Sequence, residues 1–217
     1  MFNLIVADPP WSFDDTLKKM KAKTKRSAAS QYNLMSHAEV ASIDVKSVTD
    51  PSWCVCVLWV PSTLVSHGLD VLASWGFSFK QTFVWVKIKN DVTKTAKKSL
   101  KDTENIDPNE LLAFGMGRLF RATHEIALVG TSGKPYDNLQ DRSQRSVMLE
   151  VNTSHSSKPE TLQDRLEKMF PTAKKLEMFA RRTRQGWTCL GNEIDCLDIN
   201  DAIALLSKQT KSVEVES

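Results

Sequence analysis

The chain lacks any apolar stretch long enough to cross a bilayer. Its longest, Trp53 to Pro61, is nine residues, against the roughly 20 that a membrane helix needs. It also lacks the charged leader and apolar segment of a secretory signal. Cysteine is scarce, with four in 217 residues, and none is spaced for a metal or a disulfide framework. Cys54 and Cys56 are two apart in an apolar run, where strand alternation puts both on one face as small core residues. Cys189 and Cys196 are well separated from them. A reduced, cytoplasmic compartment and a soluble protein are expected. Net charge is small too: 29 basic and 26 acidic residues leave +3, so the total does not announce a polyanionic partner. No internal repeat or low-complexity tract is present.

What the chain does have is charge in particular places. Lys18, Lys19, Lys21, Lys23, Lys25 and Arg26 fall within nine residues that contain no acid, and Arg181, Arg182 and Arg184 form a second cluster. Such runs are ordinarily solvated loops, so their meaning depends on the motif beside them.

The length suits one α/β domain with a substantial core and is too short for two ordinary ones. Phe2 to Ala7 reads as a buried strand that stops at Asp8-Pro9-Pro10, because proline has no N–H for a sheet. Ser36 and Glu39 have the capping-box spacing, and Val40, Ile43, Val45 and Val48 suggest one helix face. Trp53 to Val60 is a second buried strand. Ser62 is a candidate cap for a helix carrying Leu64, Val65, Leu69, Leu72 and Ala73, with Gly76 as its stop. Thr82 to Ile88 is strand-like again, and this alternation marks parallel βαβ units in a doubly wound sheet. Glu125 to Val129, Val147 to Val151, Leu176 to Phe179 and Trp187 to Leu190 are further strands. Lys158-Pro159-Glu160 opens a helix, with Pro159 in its first turn. The expected organisation is one domain over 1–206 with inserted loops at 12–35, 89–122 and 131–146, then a flexible tail over 207–217.

The chemistry concentrates in Asp8-Pro9-Pro10-Trp11, at the carboxyl end of the first strand, where ligands of open α/β sheets sit. The Asp8 carboxylate and the Pro9 carbonyl can accept two hydrogens of an amino group, and Trp11 can stack on a flat ring. Pro9 and Pro10 stiffen the turn and hold the acceptors at fixed separation. An amino group conjugated with a ring, such as adenine's, is a poor nucleophile and needs this kind of grip to free its lone pair. A strand ending in a Pro-Pro turn with a packed aromatic is the plain alternative.

These residues resemble the DPPW-type adenine-N6 methyltransferases, the family of the eukaryotic messenger-RNA adenine methyltransferase's catalytic subunit and of many bacterial and phage enzymes. The resemblance extends in order through Tyr32-Asn33-Leu34-Met35-Ser36 with Glu39, Leu58-Trp59-Val60, Trp75-Gly76-Phe77 and Trp85-Val86-Lys87. It continues through Gly117 with Arg121 and Glu125, Ser154-His155 with Lys158-Pro159, and Trp187 with Gly191-Asn192. It covers roughly residues 4 to 193.

The resemblance implies a Rossmann-like S-adenosylmethionine-dependent methyltransferase fold, with a doubly wound, mostly parallel sheet. It implies S-adenosyl-L-methionine as cofactor and no metal. Ala7 and Asp8 would lie near the methionine moiety, Lys158 would meet its carboxylate, Phe179 and Arg181 would flank the adenosine, and Asn192 with Glu193 would hold the ribose or carboxylate region. Three departures stand out: two extra residues before Lys158, Ala180 in place of a familiar glycine, and Glu193 where some relatives have glutamine.

The expected activity is methylation of the 6-amino group of adenine in DNA, in a specific sequence context, by direct transfer without a covalent enzyme intermediate. Duplex DNA would have to yield its target base by flipping. Beside such a pocket, Lys18, Lys19, Lys21, Lys23, Lys25 and Arg26 become candidates for gripping phosphates, and Arg118 and Arg121 join them from the second inserted loop. His37 and His124 read as ordinary polar residues. The partner is nucleic acid, with DNA preferred to RNA because the compact chain shows no zinc finger or RNA module. The protein itself would be a monomer or homodimer, and cytoplasmic in a bacterial host if phage-encoded. The alternatives are the same chemistry on RNA, methylation of a cytosine amino group, and a non-catalytic nucleic-acid-binding subunit of the same fold.

Overall fold

A computed structural model describes residues 1–13, 34–90, 108–115, 117, 119–151, 158–194 and 196–215. The basic run Lys18 to Arg26, together with Tyr32, Asn33, Arg118, Ser154 and His155, lies outside the described residues.

Strand β1, Leu4–Ala7, is buried throughout, as a run without polar alternates must be. It lies between two parallel neighbours, β2 (Trp53–Val60) and β6 (Lys175–Met178), and β6 pairs in parallel with β7 (Trp187–Leu190). With β3 (Ser78–Ile88), β4 (His124–Gly133) and β5 (Val147–Val151), the strand order is β5-β3-β4-β2-β1-β6-β7. The helices are α1 (His37–Ala41), α2 (Val65–Ser74), α3 (Pro108–Leu111), α4 (Thr161–Met169) and α5 (Ile199–Val215). Parallel strands need crossovers: α1 lies between β1 and β2, whereas β6 and β7 are joined by residues 179–186 without a helix. This is the Rossmann-like α/β architecture that the sequence suggests.

The chain forms two compact units, one of residues 1–81, 128–137 and 173–217, the other of 82–127 and 138–172. Leu4, Ile5, Leu58, Trp59, Leu72, Trp75, Leu176, Met178 and Ile203 are fully buried in the first. Trp75 can be buried because its indole N–H donates to the Val40 carbonyl at 3.0 Å. In the second unit, buried Trp85 and Met148 lie on β3 and β5, which pair in parallel. The Trp85 indole donates to the Glu150 carbonyl at 3.0 Å.

The capping box at Ser36 is present in both directions, with the Ser36 amide donating to Glu39 Oε2 at 2.7 Å and the Glu39 amide to Ser36 Oγ at 3.3 Å. The helix it opens ends sooner than expected, at Ala41, and Val45–Val48 form a separate 3-10 turn. Val40, Ile43, Val45 and Val48 are nevertheless all buried. Ser42 accounts for the break: its hydroxyl donates to the Glu39 carbonyl at 2.8 Å, competing with the helical ladder.

Other boundaries shift in the same way. Ser62 caps no helix, because Ser62–Leu64 form a 3-10 turn and α2 starts after Leu64. Gly76 does stop α2, at φ +86°. Pro159 precedes the N-cap Glu160 rather than sitting in the first turn of α4. Strand β3 starts at Ser78, four residues before Thr82, through an exposed segment that includes Phe79. Strand β4 continues to Gly133, so the loop expected from 131 begins later and contains a 3-10 turn, Pro135–Asn138. The largest correction is the tail: residues 207–215 are the second half of α5. Asp198 caps that helix by accepting from the Asn200 amide at 2.9 Å. Ile199, Ala202, Ile203 and Ser207 are its buried face, and the Ser207 hydroxyl donates to the Ser47 carbonyl at 3.4 Å.

Candidate active site

In the first unit, register places Ala7 opposite both Leu58 and Met178, and Met178 opposite Leu190. Asp8, Phe179 and Gly191 are therefore the first residues past the carboxyl ends of three adjacent parallel strands. Open α/β sheets bind ligands in this region.

The Asp8-Pro9-Pro10-Trp11 turn is tied down at almost every residue. The half-buried Asp8 donates its amide to the Met178 carbonyl at 3.4 Å. The Trp11 amide donates to the Pro9 carbonyl at 2.9 Å, closing a tight turn. Met35 then clamps the far side, its amide donating to the Pro10 carbonyl at 2.8 Å and its carbonyl accepting from the Ser12 amide at 2.8 Å. The Trp11 indole donates to the Trp59 carbonyl at 2.9 Å and the residue is only 6% exposed. Two consequences follow for the expected acceptor site. The Pro9 carbonyl keeps one lone pair for a ligand rather than two. Trp11 acts first as the anchor of the turn, because its ring is packed in the protein.

The loops after β6 and β7 are built together. Phe179 has φ +62°, a conformation that costs a bulky residue on the order of 1–3 kcal/mol. The next residue, Ala180, donates its amide to the Leu190 carbonyl at 2.8 Å. Gly191 lies so close that a Cβ on it would stand 2.2 Å from the Ala180 carbonyl oxygen and 2.8 Å from its nitrogen. Only glycine permits that approach of the two backbones. The paired loops carry a half-buried aromatic at Phe179 and exposed Arg181, Asn192 and Glu193. An apolar face with donors and a carboxylate beside it fits a nucleoside-bearing cofactor with ribose hydroxyls.

Lys158 and Arg121 belong to the second unit. Lys158 stands 3.2 Å from Glu125 Oε2, and Lys87 pairs with the other carboxylate oxygen. Burial would raise the Glu125 pKa, but the Lys158 and Lys87 ammonium groups hold it below its usual value. Lys87 also lies over the Trp85 ring at 4.8 Å. Lys158 stands out in the sequence as a cofactor ligand by resemblance, whereas Glu125 belongs there only to the shared pattern with Gly117 and Arg121. An acid on a strand between two lysine-bearing segments is the signal for the pair, and it becomes legible only once β3 and β4 are placed. The Arg121 guanidinium lies 4.6 Å over the Phe114 ring and donates to the Gly117 carbonyl at 3.4 Å, so part of its function is to brace its own loop. Among the described residues, no group of three or more His, Cys, Asp or Glu could hold a metal ion. No helix among them is long and apolar enough to cross a membrane.

Comparison with known proteins supplies a family model, MT-A70, which matches residues 2–193. A type II methyltransferase, M.MunI from a Mycoplasma species, is 28% identical over 206 residues, covering 89% of this chain and 78% of that protein. The N(6)-adenosine-methyltransferase MT-A70-like protein of Arabidopsis thaliana is 26% identical over 196 residues, covering 89% of this chain and 24% of that protein. The human N(6)-adenosine-methyltransferase catalytic subunit METTL3 is 24% identical over 203 residues, covering 92% of this chain and 29% of that protein. The chain thus spans most of the bacterial relative and about a quarter of the plant and human ones.

Proposed function

The chain belongs to the MT-A70 family, and on that premise we propose that it methylates the 6-amino nitrogen of adenine in a nucleic acid, with DNA as the polymer. The observation that carries this reading is the clamped Asp8-Pro9-Pro10-Trp11 turn at the end of β1. The Asp8 carboxylate and the remaining lone pair of the Pro9 carbonyl accept the two amino hydrogens, which draws the nitrogen lone pair out of conjugation with the ring. The hydrogen bonds to Met35 and Trp59 keep both acceptors in place before the target arrives. Electrostatic preorganisation of this kind spares the reaction the cost of orienting its dipoles.

The methyl donor in this reading is S-adenosyl-L-methionine, which supplies an activated methyl group on a sulfonium. Phe179 and Arg181 flank its adenosine, Asn192 and Glu193 take the ribose hydroxyls, and Ala7 with Asp8 border the methionine end. The fixed contact between Gly191 and Ala180 sets the spacing of those two loops. The turn beyond β1 and the loops beyond β6 and β7 start at residues in register, which suits a reaction that depends on proximity of acceptor and donor.

DNA is favoured over RNA on the likeness to the type II methyltransferase, at 28% identity against 26% and 24% for the N(6)-adenosine-methyltransferases. The test is incubation with labelled S-adenosylmethionine and, separately, single-stranded DNA, duplex DNA and RNA, followed by identification of the modified nucleoside. Labelled N6-methyldeoxyadenosine is expected. Label confined to RNA would replace the polymer, and label in none of the three would remove the enzymatic reading.

A further inference from the structure

The loop between α3 and β4 is closed at its base by one residue of β3. The Ala113 amide donates to the Lys87 carbonyl and the Lys87 amide donates to the Thr123 carbonyl, each at 2.8 Å. Between those ends the described residues fold back on one another. A Cβ on Gly115 would stand 1.9 Å from the Ala122 carbonyl oxygen, and one on Gly117 would stand 1.9 Å from that of Phe120. Arg121 adds its contacts to Phe114 and Gly117. Compact loops with closed ends and internal packing are frequently functional. Among the described residues of this loop three bulky apolar side chains stay outside: Leu119 is 93% exposed, Phe120 is 89% exposed and Phe114 is 76% exposed.

Single exposed apolar residues are ordinary, whereas two adjacent bulky ones on a braced loop ask for a reason. The composition indicates which partner. Arg118 and Arg121 flank Leu119-Phe120 directly in the sequence, so the apolar tip is set between two cations, which suits a polyanion. Leucine and phenylalanine are among the side chains that proteins insert between bases, partly unstacking them. An enzyme that acts on a base inside a duplex must unstack it.

We propose that Leu119 and Phe120 form an apolar wedge that enters the base stack of the bound nucleic acid and offsets the loss of stacking when a base is extruded. The proposal rests on the nucleic-acid methyltransferase reading above. The wedge acts on stacked, paired polymer and has little to do on strands that are already open.

The test compares wild type with Leu119→Ala/Phe120→Ala. Both side chains are exposed, so the substitution removes little packing. Labelled S-adenosylmethionine is supplied with native genomic DNA and with the same DNA heat-denatured; a hairpin RNA and its unpaired strand replace them if RNA is the polymer labelled. The variant's ratio of kcat/KM on native to denatured polymer is expected to fall on the order of tenfold, the size of one base-stacking contact. An unchanged ratio, whether both rates fall together or neither does, overturns the wedge and leaves the methyltransferase reading intact. A change of sedimentation from dimer to monomer in the variant assigns the tip to self-association and also overturns it. No label from wild type on any polymer overturns the methyltransferase reading, and the wedge with it.

Discussion

Replacing Gly191 with alanine should damage the protein far more than its small size suggests. The added methyl would sit 2.2 Å from the Ala180 carbonyl oxygen, 2.8 Å from its nitrogen and 3.1 Å from its carbonyl carbon. All three are backbone atoms, so no side chain can rotate away. Overpacking of this kind costs about 1–3 kcal/mol. Separating the loops also weakens the 2.8 Å bond from the Ala180 amide to the Leu190 carbonyl, which adds about 1 kcal/mol. A total of about 2–4 kcal/mol corresponds to a Tm lowered by roughly 5–15 °C in a chain of this size. Gly186→Ala is the control, because Gly186 has φ +79° but nothing within 4 Å of the added Cβ. It should cost only the left-handed conformational penalty of about 1–2 kcal/mol. The assay is urea unfolding of both variants, with S-adenosylmethionine binding measured by calorimetry. Gly191→Ala should lose cofactor affinity while Gly186→Ala keeps it. Equal stabilities for the two variants, or wild-type cofactor affinity in Gly191→Ala, would refute the view that this backbone contact builds the cofactor side of the site.

Three further outcomes follow from the same geometry. Trp11→Phe keeps the ring but removes the donor to the Trp59 carbonyl; it should cost about 1–3 kcal/mol in chemical denaturation and lower kcat as the turn loosens. Glu125→Gln should destabilise the protein by about 1–3 kcal/mol through the loss of charged hydrogen bonds to Lys87 and Lys158. Because the folded Glu125 pKa lies below its ordinary value of about 4.5, its contribution is fully present above that value and is lost as pH falls through the folded pKa. Unfolding curves of wild type and Glu125→Gln should therefore converge at acid pH, and a constant difference would contradict the ion-pair account. Truncation after Leu206 should destabilise the first unit, since Ser207 is buried and bonded to Ser47; unchanged thermal melting would mean that the second half of α5 adds nothing.

Strands were the most legible elements in the sequence. Trp53–Val60 and Val147–Val151 stand where their apolar runs place them, and β1 stops where Pro9 forbids a further sheet bond. Ser36 with Glu39 identified a helix start, because a capping box is a local interaction read directly from spacing. What the sequence obscured was one local competition with the helical ladder and several partners distant along the chain. The end of α1 is set by one serine hydroxyl, and residues from 207 onward read as a tail because the buried face of α5 passes through Ser207, whose hydroxyl bonds to Ser47 far along the chain. The pairing of Lys158 with Glu125 needed the order of the strands. The motif Asp8-Pro9-Pro10-Trp11 reads in the sequence as an acceptor pair beside an aromatic. The structure turns Trp11 into the peg that fixes the turn, and shows that one lone pair of Pro9 is already used.

The central claim is that the Asp8 carboxylate, held at the end of β1, is one of the two acceptors for the target amino group. The most direct measurement is kcat of Asp8→Ala for methyl transfer at saturating cofactor and polymer, with cooperative unfolding checked in parallel. Loss of a preorganised group that acts in the transition state predicts a kcat lower by about 10²–10³-fold in a folded protein. A folded Asp8→Ala variant whose kcat stays within a small factor of wild type would contradict the account.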